Sequence, residues 1–200
     1  VLKGSNRATA QGSCGKRPQG ETGSVRRPLT VSRSALLVEG ADADFRGLIH
    51  DLIVYGHHLD SCRDWFGEQV GVTGTQYEIL MIVYRFRGGS GISVSEVAAR
   101  MCRSGAFITL EVSKLAARGI LDKGTDPDDG RRVLLTVTRK GDRMARALAP
   151  HQRRINDILF ACLDRRRFRV LRALARELVE CGEQATRLTA SLSTTARAAA

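Results

Sequence analysis

Two hundred residues with 42% hydrophobic side chains suffice for the core of one domain, and a formal charge of +11 favours a polyanionic partner, nucleic acid before an anionic membrane. No apolar run is long enough to span a bilayer. The five cysteines (Cys14, Cys62, Cys102, Cys162 and Cys181) form no C-x-x-C pair and histidines number four, which disfavours a disulfide framework and a structural zinc and suits a cytoplasmic protein without cofactors.

Residues 1–38 hold seven Lys or Arg against one acid, with Gly, Ser, Thr and Pro throughout and no apolar periodicity. A disordered basic tail is expected there. It lacks the apolar core of a secretory signal, and a transit peptide is disfavoured. The remaining 25 basic and 20 acidic residues make the folded part less basic than the total suggests.

Phe45, Leu48, Leu52, Tyr55, Leu59, Cys62 and Phe66 recur at alternating spacings of three and four. That period predicts a long first helix with a coiled-coil-like seam, and Ile49, Ile53 and Val54 add a second packing surface. Glycines between Gly67 and Gly74 end it. Thr75 is the expected cap of a second helix, Gln76 to Arg87, whose Ile79, Leu80, Ile82, Val83 and Phe86 are mostly internal, and Gly88 to Gly91 stop it. After a stub of strand at Ile92 to Val94, Ser95 with Val97, Ala98 and Met101 predicts a short third helix, and Ser104 caps a fourth. Two short helices joined by a tight turn outline a helix-turn-helix.

On the fourth helix Ile108, Val112 and Leu115 share one face, which must be the buried one, and Ala106, Thr109, Leu110 and Ser113 lie opposite. Short and hydroxyl-bearing side chains let a helix approach base edges closely. Arg103, Ser104 and Lys114 complete this candidate DNA-reading surface, Arg103 and Lys114 as phosphate partners. Gly119 stops the helix. Runs with strand character follow at Leu121 to Asp126 and Val133 to Val137, around the turn residues Asp128, Asp129 and Gly130. Arg131 and Arg132 leave that turn side by side, where they can straddle a phosphate backbone or enter a minor groove. Helix, turn, helix and charged hairpin, in that order, describe a winged helix-turn-helix.

From Gly71 to Gly141 the segments GVTGTQYEIL, KLAARGIL and DPDDGRRVLLTVTRKG resemble the MarR (multiple antibiotic resistance regulator) family, the wing most specifically, and the likeness covers about residues 40 to 190. It implies a homodimer with recognition helices in two major grooves and wings toward the minor groove. By position, Arg131 and Arg132 would be the wing arginines, Asp128 or Asp129 would brace them, and Thr138 would cap the next helix. Leu110 and Glu111 stand where relatives often carry polar or basic residues, so base preference does not transfer.

Thr138 opens a fifth helix with Met144, Leu148, Ile155, Ile158, Leu159 and Cys162 apolar, and Pro150 is expected to kink it. Asp164 caps a sixth, with Phe168, Leu171, Leu174, Leu178 and Cys181 on one side and arginines from Arg165 to Arg176 largely on the other. This is more apolar helix than a small winged module can cover. The expectation is therefore a mostly α fold with a small β-hairpin: a winged helix-turn-helix at 71–138, a dimerisation region at 39–70 and 139–190, and a frayed end at 191–200.

The function so predicted is a dimeric, sequence-specific transcriptional regulator, read as a repressor, on a pseudo-palindromic DNA operator with half-sites about one helical turn apart. The resemblance implies release by a small aromatic or anionic effector, with His57, His58, Trp65, Tyr77 and Arg85 as candidate ligands by residue type. Oxidation at Cys62 or Cys102 is a rival switch, a zinc sensor built on the histidines a third, and a winged module that binds protein a different class of function. No nucleophile–base pair or phosphate-cradling glycine loop points to an enzyme.

Overall fold

The computed structural model describes residues 27–198 apart from 127, 128 and 131, with side chains described to residue 195. Its contacts divide the chain at Leu52 and Ile53 into two units. In the first, a single 3-10 turn at Ser34–Leu36 leads to an isolated bridge between Val38 and Ala41. Buried Asp42 organises this unit, accepting hydrogen bonds from Thr30 N (2.8 Å) and Thr30 Oγ1 (2.7 Å) and from Arg46 Nε (3.0 Å). Arg46 and then Thr30 hold its carboxyl well below the usual carboxylate range. Helix α1, Ala43–Gln69, starts here, and the division falls within it.

The second unit continues with α2 (Gly74–Arg85), β1 (Ile92–Ser93), α3 (Val94–Arg100), α4 (Gly105–Ala117), β2 (Leu121–Thr125), β3 (Val133–Val137), α5 (Arg139–Leu159) and α6 (Arg165–Ala198). The antiparallel sheet has order β1-β3-β2, with Leu121 opposite Val137 and Thr125 opposite Val133. The predicted hairpin is therefore the larger part of a three-stranded sheet. Ile79, Leu80 and Val83 of α2, Val97 of α3, Ile108, Val112 and Leu115 of α4, Ile92, Leu121 and Leu135 of the sheet, and Ile120 just before β2 form one buried core. Fully buried aliphatic side chains of this size each contribute about 1.5–3 kcal/mol. The first half of α5 joins it through buried Gly141, Ala145 and Leu148.

Two helix starts differ from expectation. Helix α2 is capped by Thr73, whose Oγ1 accepts from Gln76 N at 3.2 Å while Gln76 reaches back to Thr73 N. Thr75, the expected cap, lies inside the helix, which ends at Arg85. Gly74 follows the cap because a Cβ there would overlap Asp64. Helix α3 starts from Ser93 with Glu96 in the same reciprocal arrangement, and Ser95 again lies inside. Ser104, Thr138 and Asp164 cap as predicted, and Gly119 ends α4 at φ +64°. Helix α5 continues on both sides of Pro150, and α6 runs on to Ala198, into the stretch expected to fray.

Candidate nucleic-acid interface

The α4 core face is as predicted: Ile108, Val112 and Leu115 are fully buried. Ala106, Thr109 and Leu110 are exposed and Ser113 partly so, with Arg103 and Ser104 exposed at the turn before the helix. Phe107, half-exposed beside them, was not singled out by sequence. The Thr109 hydroxyl donates to Gly105 O (2.8 Å) and that of Ser113 to Thr109 O (2.7 Å). Their protons thus point into the helix, and the surface offers oxygen lone pairs and a methyl, which suit amino donors on bases and the thymine methyl.

Glu111, flagged as a departure on the recognition helix, is absent from this surface. It is 7% exposed and accepts Gln76 Nε2 at 2.9 Å and Lys114 Nζ at 2.6 Å. Those bonds, the Lys114 one first, lower its pKa. Lys114, expected as a phosphate partner, is thereby bonded back onto the protein.

The wing stands beside α4. Lys123 of β2, which the sequence did not flag, donates from Nζ to Ser113 Oγ at 2.9 Å. Arg132 N donates to Asp129 O (2.9 Å) and Asp126 N to Arg132 O (3.0 Å), closing the wing turn. The half-exposed Arg132 guanidinium meets Glu96 of α3 at 3.3 Å and Asp126 at 3.6 Å. Glu96 is held below its ordinary pKa, first by Ser93 and then by Arg132. Asp126 and Glu96 thus brace Arg132, two carboxylates that the sequence did not single out. Arg131 and Asp128 lie outside the described residues. Ser93, Val94, Ser95, Thr109, Lys123, Arg132 and Val133 line one cleft of about 360 Å³ between α3, α4 and the wing.

Of the predicted effector residues, Trp65 and Tyr77 come together. Both rings pack on Phe66, with centroids 5.7 and 5.4 Å away, and Trp65 meets His151 at 5.7 Å. Tyr77 Oη accepts Gln152 Nε2 at 2.7 Å, and burial raises the phenol's pKa. His57, His58 and Arg85 are exposed, and among the described residues no hydrogen bond or ring contact ties their side chains to this cluster. His151 and Gln152 went unnoticed because their partners lie far away in sequence. Cys62 is half-buried and Cys102 exposed, the latter at φ +50°. No three His, Cys, Asp or Glu gather as a metal site among the described residues.

Residues 70–132, which span the helix-turn-helix and most of the wing, match the model of the MarR family. The matched segment is a winged helix-turn-helix of the MarR type. Its fold is that of a DNA-binding transcription regulator. Similar folds include the DNA complex of Staphylococcus aureus MepR, 17% identical with a TM-score of 0.56 over 66% of this chain and 96% of that one. PcaV from Streptomyces coelicolor, in complex with its natural ligand, is 28% identical with a TM-score of 0.50 over 64% of this chain and 90% of its own. CouR from Rhodococcus jostii RHA1, bound to p-coumaroyl-CoA, is 19% identical with a TM-score of 0.59 over 68% and 92%. The comparison with curated proteins returned no match. No helix among the described residues is long and apolar enough to cross a membrane.

Proposed function

We propose that this protein is a homodimeric repressor of the MarR family that reads a pseudo-palindromic operator. The carrying observation is one surface: the small hydroxyl-bearing face of α4, with Arg103 at its start and the Arg132 wing alongside. Ala106, Thr109 and Ser113 read base edges; Arg103 and the wing arginines Arg131 and Arg132 serve phosphate or groove shape. The exposed apolar residues of α1 and α6, Leu48, Leu52, Leu171, Leu174 and Leu178 among them, supply the dimer interface. Footprinting of the dimer on DNA upstream of its own gene tests this. Two protected half-sites about 10 base pairs apart are expected; protection without two-fold spacing contradicts the dimeric reading.

A small aromatic or anionic effector releases the operator from a site at Trp65, Tyr77, His151 and Gln152. Three aromatic rings and a polar pair in one place favour this reading over cysteine oxidation. PcaV and CouR are likewise bound to a natural ligand and to p-coumaroyl-CoA.

A further inference from the structure

The recognition helix carries one carboxylate on its inner side, and that carboxylate engages both a neighbouring helix and a lysine at the edge of the reading face. Glu111 is almost wholly buried, whereas Lys114 is half exposed. Glu111 Oε2 takes Gln76 Nε2 of α2, and Oε1 takes the Lys114 ammonium. If Lys114 left for a DNA phosphate, an ionised carboxylate shielded from water would keep a single neutral donor, a costly arrangement.

We propose that Glu111 is a positioning residue that withholds Lys114 from DNA: it holds the ammonium on the protein and pins the recognition helix to α2. Resting on the DNA-binding reading above, this makes the number of phosphate contacts at the end of α4 a property of a buried side chain that never touches the duplex. Gln76 is the second hold on the same carboxylate, and it sits next to Tyr77, whose hydroxyl faces Gln152.

The test is a set of binding isotherms for the full-length dimer on labelled operator and random duplexes across a series of KCl concentrations. Each phosphate contact steepens the dependence of log K on log salt by about 0.9. Lys114→Ala is expected to keep the wild-type slope. Glu111→Gln, which keeps the shape and one acceptor for Gln76 but turns an amide in place of a carboxylate oxygen toward the ammonium and so frees it, is expected to steepen it by about one contact per recognition helix, on both duplexes. The double variant is expected to return to the wild-type slope. Glu180→Gln on α6 makes the same charge change elsewhere and is expected to leave the slope alone.

A shallower slope for Lys114→Ala alone means that the lysine already contacts phosphate and overturns the proposal. So does an unchanged slope for Glu111→Gln, or an equal steepening by Glu180→Gln. If Glu111→Gln does not fold, Lys114→Ala by itself still decides. A wild-type dimer that binds no duplex overturns the DNA-binding reading and this proposal together, whereas tight binding with the wrong slopes overturns this one alone.

Discussion

Arg132 sits between two states. In the free protein its half-exposed guanidinium lies 3.3 Å from half-exposed Glu96 and 3.6 Å from largely buried Asp126; the first is a surface pairing of the kind that contributes at most about 1 kcal/mol, and the second is too long for a good hydrogen bond. A phosphate can compete with contacts that weak. Arg132→Ala is therefore expected to weaken binding to operator and random duplexes alike and to lower the salt slope by about one contact; a loss confined to the operator in a titration series would mean groove-shape readout instead. Arg131→Ala is expected to behave in the same way. Thr138 carries a different load, accepting from Gly141 N at 3.1 Å and donating toward Gly119 O at 2.8 Å. Thr138→Ala is expected to cost about 1 kcal/mol in urea unfolding. The arginine pair and the cap were legible from sequence because turn chemistry and capping are local. Glu96 and Lys123 were not, since what makes them part of the site is the approach of α3 and α4 to the wing.

At the level of elements, sequence placed the α-helices of the described residues and both hairpin strands, missed the 3-10 turn Ser34–Leu36 inside the stretch expected to be a disordered tail, where Thr30 is bonded to Asp42, and erred at two starts, for a physical reason. Thr73 with Gln76 and Thr75 with Glu78 both fit the capping-box spacing. The fold selects Thr73, with Glu78 paired to Arg63 at 2.8 Å and Gly74 tight against Asp64. For α3, by contrast, Ser93 with Glu96 was legible, because Ser95 has Ala98 three residues on. The junction of α5 with the core is equally tight: a Cβ on Gly141 would overlap Ile120 O. Gly141→Ala is expected to destabilise by about 1–3 kcal/mol, measured by thermal unfolding. The N-terminal unit depends on Asp42. Its depressed pKa means that the carboxylate stabilises that unit above the unfolded aspartate value, about 3.9, and ceases to do so as pH falls through the lower folded value. The Thr30 amide resonance is therefore expected to shift only well below pH ~3.9 in the wild type, and to sit at the displaced position at neutral pH in Asp42→Asn.

For the whole molecule, the unpartnered apolar residues decide the account. The heptad-spaced residues of α1 fall on one helix as expected, yet within one chain only the last of them, Phe66, is buried. The same holds for α6, where Leu171, Leu174 and Leu178 are exposed. Sequence period shows that such a face must be covered without saying by what, and the two-fold partner is the reading adopted above. Leu178→Glu is expected to shift the protein toward monomers in sedimentation equilibrium and to reduce operator affinity far more than random-duplex affinity, since only the operator needs both recognition helices. The proposed effector site was half legible: Trp65 and Tyr77 were named from residue type, whereas His151 and Gln152 come from α5, and among the described residues no hydrogen bond or ring contact ties the side chains of His57, His58 and Arg85 to that cluster. The most direct test of the central claim is a gel-shift titration of the full-length protein on its own upstream DNA and on a random duplex, at two salt concentrations. Tight, two-fold-symmetric binding that prefers the upstream DNA and weakens steeply with salt is the expected result; binding no stronger than to the random duplex would contradict it.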